Sequence, residues 1–253
     1  MTTRVESDVD IVIPVYNEGA NIVATLESLK AGLQFRARIL ICYDHDDDDT
    51  LVALAGYDPA PLALVAVRNQ GRGVLGAVTT GFAATTAPCV IVLPADDDYN
   101  APRLNEMIRQ HRNGFDIVAA SRFMAGGRMI GGPPLKVMLV RAAAWFMRHI
   151  ARVPTHDASN GFRLFSRRVI EQIPVESDRG FAYSIEFLVK AHRLGWPITE
   201  VPVHWYERQA GQSRFRILAW LPFYLRWLLF ALGTTYIRRS PASVKMKAAE
   251  GGV

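Results

Sequence analysis

Short apolar runs and helical stripes alternate along the first 120 residues. Val9–Val15 (VDIVIPV), Arg38–Tyr43 (RILICY), Leu62–Val67, Cys89–Leu93 (CVIVL) and Asp116–Ala120 (DIVAA) are β-branched or apolar runs bounded by turn residues, and each predicts a strand. Between them, Glu18–Leu33 sets Ile22, Leu26 and Leu29 at helical spacing, and Leu51–Ala55, Gly73–Ala84 and Pro102–Arg112 predict three more helices. Strands that are apolar throughout and alternate with helices imply a parallel sheet covered on both faces. The second half is less regular. Gly126–Pro134 is a Gly/Pro-rich, mobile loop; Leu135–Ile150 and Ser184–Leu194 predict helices, and Ile198–His204 a strand. Leu135, Met138, Leu139, Ala142, Trp145 and Phe146 share one helical stripe, and Arg141 and Arg148 another. Ile217–Ile237 is 21 mostly apolar residues, interrupted by Pro222 and Arg226 and flanked by arginines.

In sheets of this kind, ligands bind beyond the carboxyl ends of the strands. Polar residues collect there: Tyr16, Asn17 and Glu18 after the first strand, Asp44 after the second, Asn69 to Gly73 after the third, Asp96 to Asp98 after the fourth, and Ser121 and Arg122 after the fifth.

Composition excludes several classes. With 253 residues, 50% hydrophobic and 21% charged, the chain is neither disordered nor low in complexity and can bury a sizeable core. Two cysteines, Cys42 and Cys89, cannot build a disulfide framework and read as buried thiols. The polar N-terminus has no signal-peptide core, which leads us to expect a cytosolic start.

The net charge of +5 is unevenly spread. Five aspartates lie between Cys42 and Thr50, whereas residues 121–152 carry six Lys/Arg and no acid, and residues 207–253 eight Lys/Arg against two Glu. Basic residues among apolar ones suit anionic lipid or a phosphorylated ligand. The aromatic stripe Trp220, Phe223, Tyr224, Trp227 and Phe230 reads as membrane or core contact rather than nucleic-acid stacking. Three aspartates after a buried strand repel one another unless solvent or a cation neutralises them. Mg²⁺ commonly bridges one or two carboxylates to substrate phosphates, so the D-x-D pair Asp96 and Asp98 suggests a metal–diphosphate site. Asp46–Asp49 reads instead as a solvated turn in which Asp49 caps the next helix. His45 and His156 read as surface loop histidines.

Quoted in order, IVIPVYNEGANI, YDHDDDDT, NQGRGVLGAVTTGFAATTAPCVIVLPADDD, ASRF, DASNGFRLF, GFAYSIEFLVKAHRLGWPITEVPV and RQAGQSRF resemble family 2, GT-A fold glycosyltransferases, in particular the dolichol/polyprenyl-phosphate mannosyltransferase-like branch. The resemblance runs from about Asp8 to Phe230. It implies a GT-A (Rossmann-like), mainly parallel α/β sheet flanked by helices. Residues 1–210 would form the catalytic domain, split into a donor-binding half (8–122) and an acceptor-side half (123–210). Residues 211–253 would form an apolar membrane-associating helix and a basic tail.

Residue roles follow from the same resemblance. Pro14, Tyr16 and Glu18 would line the nucleoside pocket, Asp44 would accept a hydrogen bond from the base, and Arg72 would lie near the nucleotide. Asp96 and Asp98 would hold Mg²⁺ or Mn²⁺ against the donor diphosphate, and Arg208 and Ser213 would close over it. Arg122 and Lys136 would receive the acceptor phosphate. Asp157 and Arg163 belong to the D-x-x-x-G-F-R signature, with a structural role. Pro94 stands where the family often has Asp, Asp98 where several relatives have Gln or Ser, and Tyr43 where it shows the first Asp of a pair.

The implied activity is inverting, metal-dependent transfer of a sugar from a nucleotide-sugar, GDP-mannose before UDP-hexoses, to a polyprenyl or dolichyl phosphate. It implies a peripheral enzyme on the cytoplasmic side of a membrane, with Ile217–Ile237 lying in the interface or, as runner-up, spanning it. No nucleic-acid partner is expected. The same fold acting on a sugar hydroxyl would need a carboxylate base, and Glu186 is its candidate. A nucleotidyltransferase would open with a Gly-rich phosphate loop, which P-V-Y-N-E-G is not. A non-catalytic membrane-binding protein would leave the five polar strand ends without a purpose.

Overall fold

The computed structural model describes residues 7–206 and 217–248, apart from the side chains of Lys136 and of residues 217–221. Its centre is a seven-stranded sheet. The strands are β1 (Val9–Pro14), β2 (Ala37–Tyr43), β3 (Ala63–Arg68), β4 (Cys89–Val92), β5 (Ile117–Ser121), β7 (Arg163–Ser166) and β8 (Ile198–Pro202), in the spatial order β3-β2-β1-β4-β7-β5-β8. All neighbours are parallel except β7, which runs antiparallel between β4 and β5. The sheet is mainly parallel, as expected, and β7 is the exception. RLFS is a four-residue run that opens on a charged side chain, so no apolar pattern announces it.

Alternate residues of each strand face opposite sides, so two cores form. Ile11, Ile13, Ile39, Ile41 and Ile91 pack under α1 (Gly19–Gly32) and α4 (Ala101–Arg112). Val12, Leu40, Cys42, Val90 and Phe165 pack under α3 (Gly73–Ala84) and α7 (Ala182–Arg193). Both cysteines are buried thiols, as expected, and burial pushes each up to about 12. The small residues of α3 have a steric reason. A Cβ on Gly81 would lie 2.7 Å from Val12 Cγ1, and one on Gly76 would lie 2.7 Å from Asn69 Oδ1. These glycines let the helix sit against β1 and let the turn after β3 fold onto the helix.

Further elements occupy the second half. β6 (Arg128–Ile130) lies inside the Gly/Pro-rich segment and pairs in parallel with β9 (His204–Tyr206), so the loop expected to be mobile is held by a short ladder. The strand expected over Ile198–His204 divides into β8 and β9. Between them, the Val203 N–H donates to the Ser121 carbonyl at 3.0 Å. α2 (Asp49–Leu54), α5 (Pro134–His149), α6 (Arg167–Gln172) and α8 (Ile217–Tyr236) complete the helices.

α8 settles onto the domain through Trp227, Ala231 and Thr234, all nearly enclosed. Trp227 donates its indole N–H to Ser177 Oγ at 2.8 Å, and Tyr236 donates its hydroxyl to the Ile150 carbonyl at 2.6 Å. Among the described residues no helix is long and apolar enough to cross a membrane.

Candidate active site

The polar strand ends gather along one edge of the sheet, and the first two are joined by their own backbone. Asn17, just past β1, adopts a left-handed conformation at φ 54°, and its N–H meets both carboxylate oxygens of Asp48 at 3.1 Å. The Glu18 N–H donates to Thr50 Oγ1 at 3.0 Å and the Gly19 N–H to Asp49 Oδ1 at 2.8 Å. Asp48 is fully buried and also accepts the Thr50 N–H at 2.9 Å, which caps α2. The acidic run is therefore only partly a solvated turn. Asp46 and Asp47 are exposed, but the cap is Asp48 rather than Asp49, and Asp49 holds the first turn of α1. Four consecutive aspartates hide this division of labour, because only the fold says which carboxylate points inward.

This scaffold presents Tyr16 and Glu18. Tyr16 is 45% exposed and meets His45 edge to face at 5.3 Å. Pro14 ends β1 beside Cys42 of β2. Half-buried Asp44 receives Asn69 Nδ2 at 2.5 Å, and Asn69 Oδ1 accepts the Gly71 N–H at 2.7 Å. Asn69 thus ties the ends of β2 and β3 together around Asp44, a role the sequence reading gave to no residue. Arg72 is exposed immediately before α3.

After β4 the three aspartates separate. Asp97 is enclosed: its carboxylate accepts the Asn100 N–H at 2.9 Å and Asn100 Nδ2 at 2.8 Å. Burial raises its pKa to about 6, with the neighbouring Asp96 charge adding to the rise. Asp97 is committed to shaping the loop, while Asp96 beside it is half-buried and Asp98 exposed. Asp98 also borders a shallow depression with Glu27, Ser28 and Tyr99. Among the described residues no three His, Cys, Asp or Glu side chains converge as a metal cage. Two carboxylates completed by diphosphate oxygens are what a hard cation such as Mg²⁺ uses, so the donor set fits a cation bound together with its substrate.

Beyond β5 the charge changes sign. The Arg122 guanidinium is forked onto buried Asp157, with Nε to Oδ2 at 2.6 Å and Nη2 to Oδ1 at 3.0 Å; Nη2 also reaches Ser159 Oγ at 3.0 Å. Burial works against the Arg122 charge, but Asp157 outweighs it, and the pKa lies above the ordinary arginine value. Arg163 is wholly buried, donating to the Ser184, Asp157 and Ala158 carbonyls, and burial pushes it down to about 10. The D-x-x-x-G-F-R signature is therefore a fastening: Asp157 fixes Arg122, and Arg163 fixes the loop carrying Asp157 to α7. A pocket of about 260 Å³ opens beside this pair, with Arg122, Arg141, Arg148, His149 and His156 around Phe123.

α5 carries Lys136 in its first turn; its side chain lies outside the described residues, as do Arg208 and Ser213 altogether. The helix buries Ala144 and Met147, yet its apolar stripe faces outward, with Leu135 63%, Met138 59%, Leu139 47% and Trp145 57% exposed. Glu186 is enclosed, accepting the Glu176 and Ser177 N–H groups and Lys190 Nζ, all within 2.8 Å. Those contacts commit it to holding the 174–177 loop and Lys190 in place.

Comparison with known proteins places this geometry in a family. Residues 10–174 match the description "Glycosyl transferase family 2". An uncharacterised glycosyltransferase of Mycobacterium tuberculosis is 29% identical over 206 residues, covering 81% of this chain and 88% of that protein. The polyprenol monophosphomannose synthase of Mycolicibacterium smegmatis is 25% identical, covering 81% and 79%. The undecaprenyl-phosphate mannosyltransferase of Micrococcus luteus is 25% identical, covering 80% and 85%. In three dimensions the chain resembles glucosyl-3-phosphoglycerate synthase of Mycobacterium tuberculosis, solved with Mn²⁺, UDP and glucosyl-3-phosphoglycerate. The TM-score is 0.63 and the identity 18%, over 90% of this chain and 79% of that one.

Proposed function

Because the chain belongs to glycosyl transferase family 2, we propose that it transfers a sugar from a nucleotide-sugar to a polyprenyl phosphate at a membrane surface, with inversion. GDP-mannose is the favoured donor and UDP-hexoses are the alternatives. The observation that carries the lipid acceptor is α5. Beside a basic pocket, this helix turns its apolar stripe away from the core, as a helix lying in a membrane interface does. The names of the mycobacterial and micrococcal relatives support the same acceptor class.

In this reading, Pro14, Tyr16 and Glu18 line the nucleoside site on the turn fastened by Asp48 and Asp49, and Asp44 meets the base with Arg72 near the nucleotide. Asp96 and Asp98 hold Mg²⁺ or Mn²⁺, which when bound neutralises charge on the departing diphosphate. Arg208 and Ser213 close over the diphosphate from the C-terminal side. Arg122 and Lys136 meet the acceptor phosphate, and the forked ion pair with Asp157 keeps Arg122 charged and oriented. A phosphate oxygen is already ionised near neutral pH, so attack on the anomeric carbon needs no strong base. The exposed faces of α5 and of α8, with Leu225 44% and Leu229 58% exposed, lie on a cytoplasmic leaflet as a peripheral contact. A hydroxyl acceptor would need a base, and the enclosure of Glu186 disfavours its candidate.

The test is transfer of radiolabelled sugar from GDP- and UDP-sugars to a short polyprenyl phosphate in detergent. Organic-phase product, abolished by EDTA, is expected with one donor. Asp96→Ala should lower turnover by about 10²–10³-fold while leaving thermal unfolding unchanged. Donor hydrolysis without organic-phase product would overturn the lipid acceptor, and full activity in Asp96→Ala would overturn the metal site.

A further inference from the structure

The basic pocket contains an arrangement that the transfer reaction as described does not use. His156 precedes Asp157 on the loop that holds Arg122. Its ring Nδ1 is in hydrogen-bond contact with Glu200 Oε1. The other carboxylate oxygen of Glu200 accepts the His156 N–H at 2.8 Å and the Thr155 hydroxyl at 3.0 Å. Glu200 comes from the middle of β8 and is 10% exposed, so the carboxylate is fixed by the sheet and in turn fixes the imidazole. The ring itself is 38% exposed and lines the pocket. With Nδ1 engaged, Nε2 is the nitrogen left to meet a ligand, and among the described residues no group bonds it. The charged groups around the ring are Glu200 behind it, Arg122 with Asp157 beside it on the loop, and Arg141, Arg148 and His149 of α5 across the pocket. Arg122 and Arg141 both lie over the Phe123 ring, at 5.2 and 5.5 Å, so the cationic wall has an apolar floor.

We propose that His156 is a catalytic residue for the acceptor, accepting the remaining proton of a phosphate monoester through Nε2, with Glu200 as its positioning residue. A phosphate monoester carries one or two negative charges near neutral pH, because its second proton leaves at about pH 6. When it arrives with one proton, the phosphate O–H bond breaks and an Nε2–H bond forms. This leaves a dianionic nucleophile beside an imidazolium, Arg122 and Arg141. A phosphate oxygen then bonds to the anomeric carbon of the sugar. The carbon–oxygen bond to the nucleoside diphosphate breaks, with its electron pair leaving on the diphosphate. The imidazolium returns its proton to solvent. A diester has no such proton and one charge fewer, so the same dyad selects monoesters. The inference rests on the phosphate-acceptor reading above.

The experiment measures acceptor KM for a short polyprenyl phosphate between pH 6 and 9, in wild type, His156→Gln and Glu200→Gln. A charge-assisted hydrogen bond of about 1.4 kcal/mol corresponds to about tenfold in affinity. Wild-type KM should rise about tenfold across this range. In His156→Gln it should be about tenfold higher than wild type at pH 6.5 and flat above pH 7, with donor KM within about twofold. Glu200→Gln should move the profile in the same direction by less. An unchanged acceptor profile in His156→Gln overturns the proposal and leaves the transferase reading standing. If wild type transfers no sugar to the lipid, that reading fails, and phenyl phosphate decides the inference alone. A shift of the ¹⁵N-labelled His156 Nε2 resonance on titration supports the subsite, and an unmoved resonance overturns it.

Discussion

α5 and α7 are both amphipathic in sequence, yet the fold uses them in opposite ways. α7 is enclosed almost end to end, with ten consecutive residues from Ala182 to Ala191 buried, among them Glu186 and Lys190. α5 buries only a narrow face and leaves Leu135, Met138, Leu139 and Trp145 in the open. One helix hides its charges and the other displays its apolar side chains. α7 can do so because each charge is matched. Lys190 Nζ reaches Glu186 at 2.6 Å, Glu176 at 2.7 Å and the Pro174 carbonyl at 2.8 Å, while the Trp227 ring of α8 lies 5.1 Å away. That network joins α7, the 174–177 loop and α8 into one block behind the sheet. Hydrophobic patterning therefore states that a face is apolar, not what covers it: protein in one case and, in our proposal, lipid in the other.

The comparison breaks most sharply at the buried pair. Glu186→Ala leaves Lys190 enclosed without its nearest carboxylate and is expected to cost about 3–5 kcal/mol in urea unfolding. Glu186→Gln with Lys190→Met should recover most of that loss, because the buried charge is removed along with its partner.

A smaller effect is expected at Asp10, a second buried carboxylate, which receives Arg38 at 2.8 Å and the Thr86 and Ala87 N–H groups at 2.6 and 3.0 Å. Asp10→Ala should cost about 1.5–3 kcal/mol at pH 7. Burial raises the Asp10 pKa, but Arg38 and the two N–H groups outweigh it, and the net value lies below the ordinary 3.8. Its contribution is thus present above pH 3.8 and lost as pH falls through the lower folded value. Acid unfolding of wild type and Asp10→Ala should converge only below about pH 4.

The smallest effect on folding is expected at the exposed stripe. Leu135→Ser, Met138→Ser and Trp145→Ser should each change stability by no more than about 0.5 kcal/mol. Together they should reduce sedimentation with anionic vesicles by more than tenfold, since each side chain would otherwise bury apolar area in lipid. Loss of stability with retained vesicle binding would make α5 an ordinary core helix and erase its contrast with α7.

Much of the fold was legible in the chain. Gly73–Ala84 matches α3 residue for residue, and the other elements expected in the first 120 residues fall within one or two positions of those observed, because period-2 and period-3.6 burial leave direct traces in composition. β7 left no trace, since its four residues open on Arg163, a buried charge that donates to carbonyls of the 157–158 loop and α7. The site was legible in part. The strand-end positions of Asp44, Asp96 and Arg122 followed from strand–turn order. Asn69 around Asp44, Asp157 beneath Arg122 and Glu200 behind His156 did not, because their partners lie 25, 35 and 44 residues apart.

The sequence by itself determined the alternation that builds the sheet, the change from acidic to basic clusters between the first and second halves of the chain, and the ordered motifs of the family. These are local properties, written in neighbouring side chains. Tertiary structure alone decided which of several equivalent aspartates turns inward, which arginine is pinned and which buried, and which amphipathic helix keeps an apolar face uncovered. Those outcomes depend on distant chain segments reaching the same few ångströms, where burial makes a polar group costly unless a partner meets it.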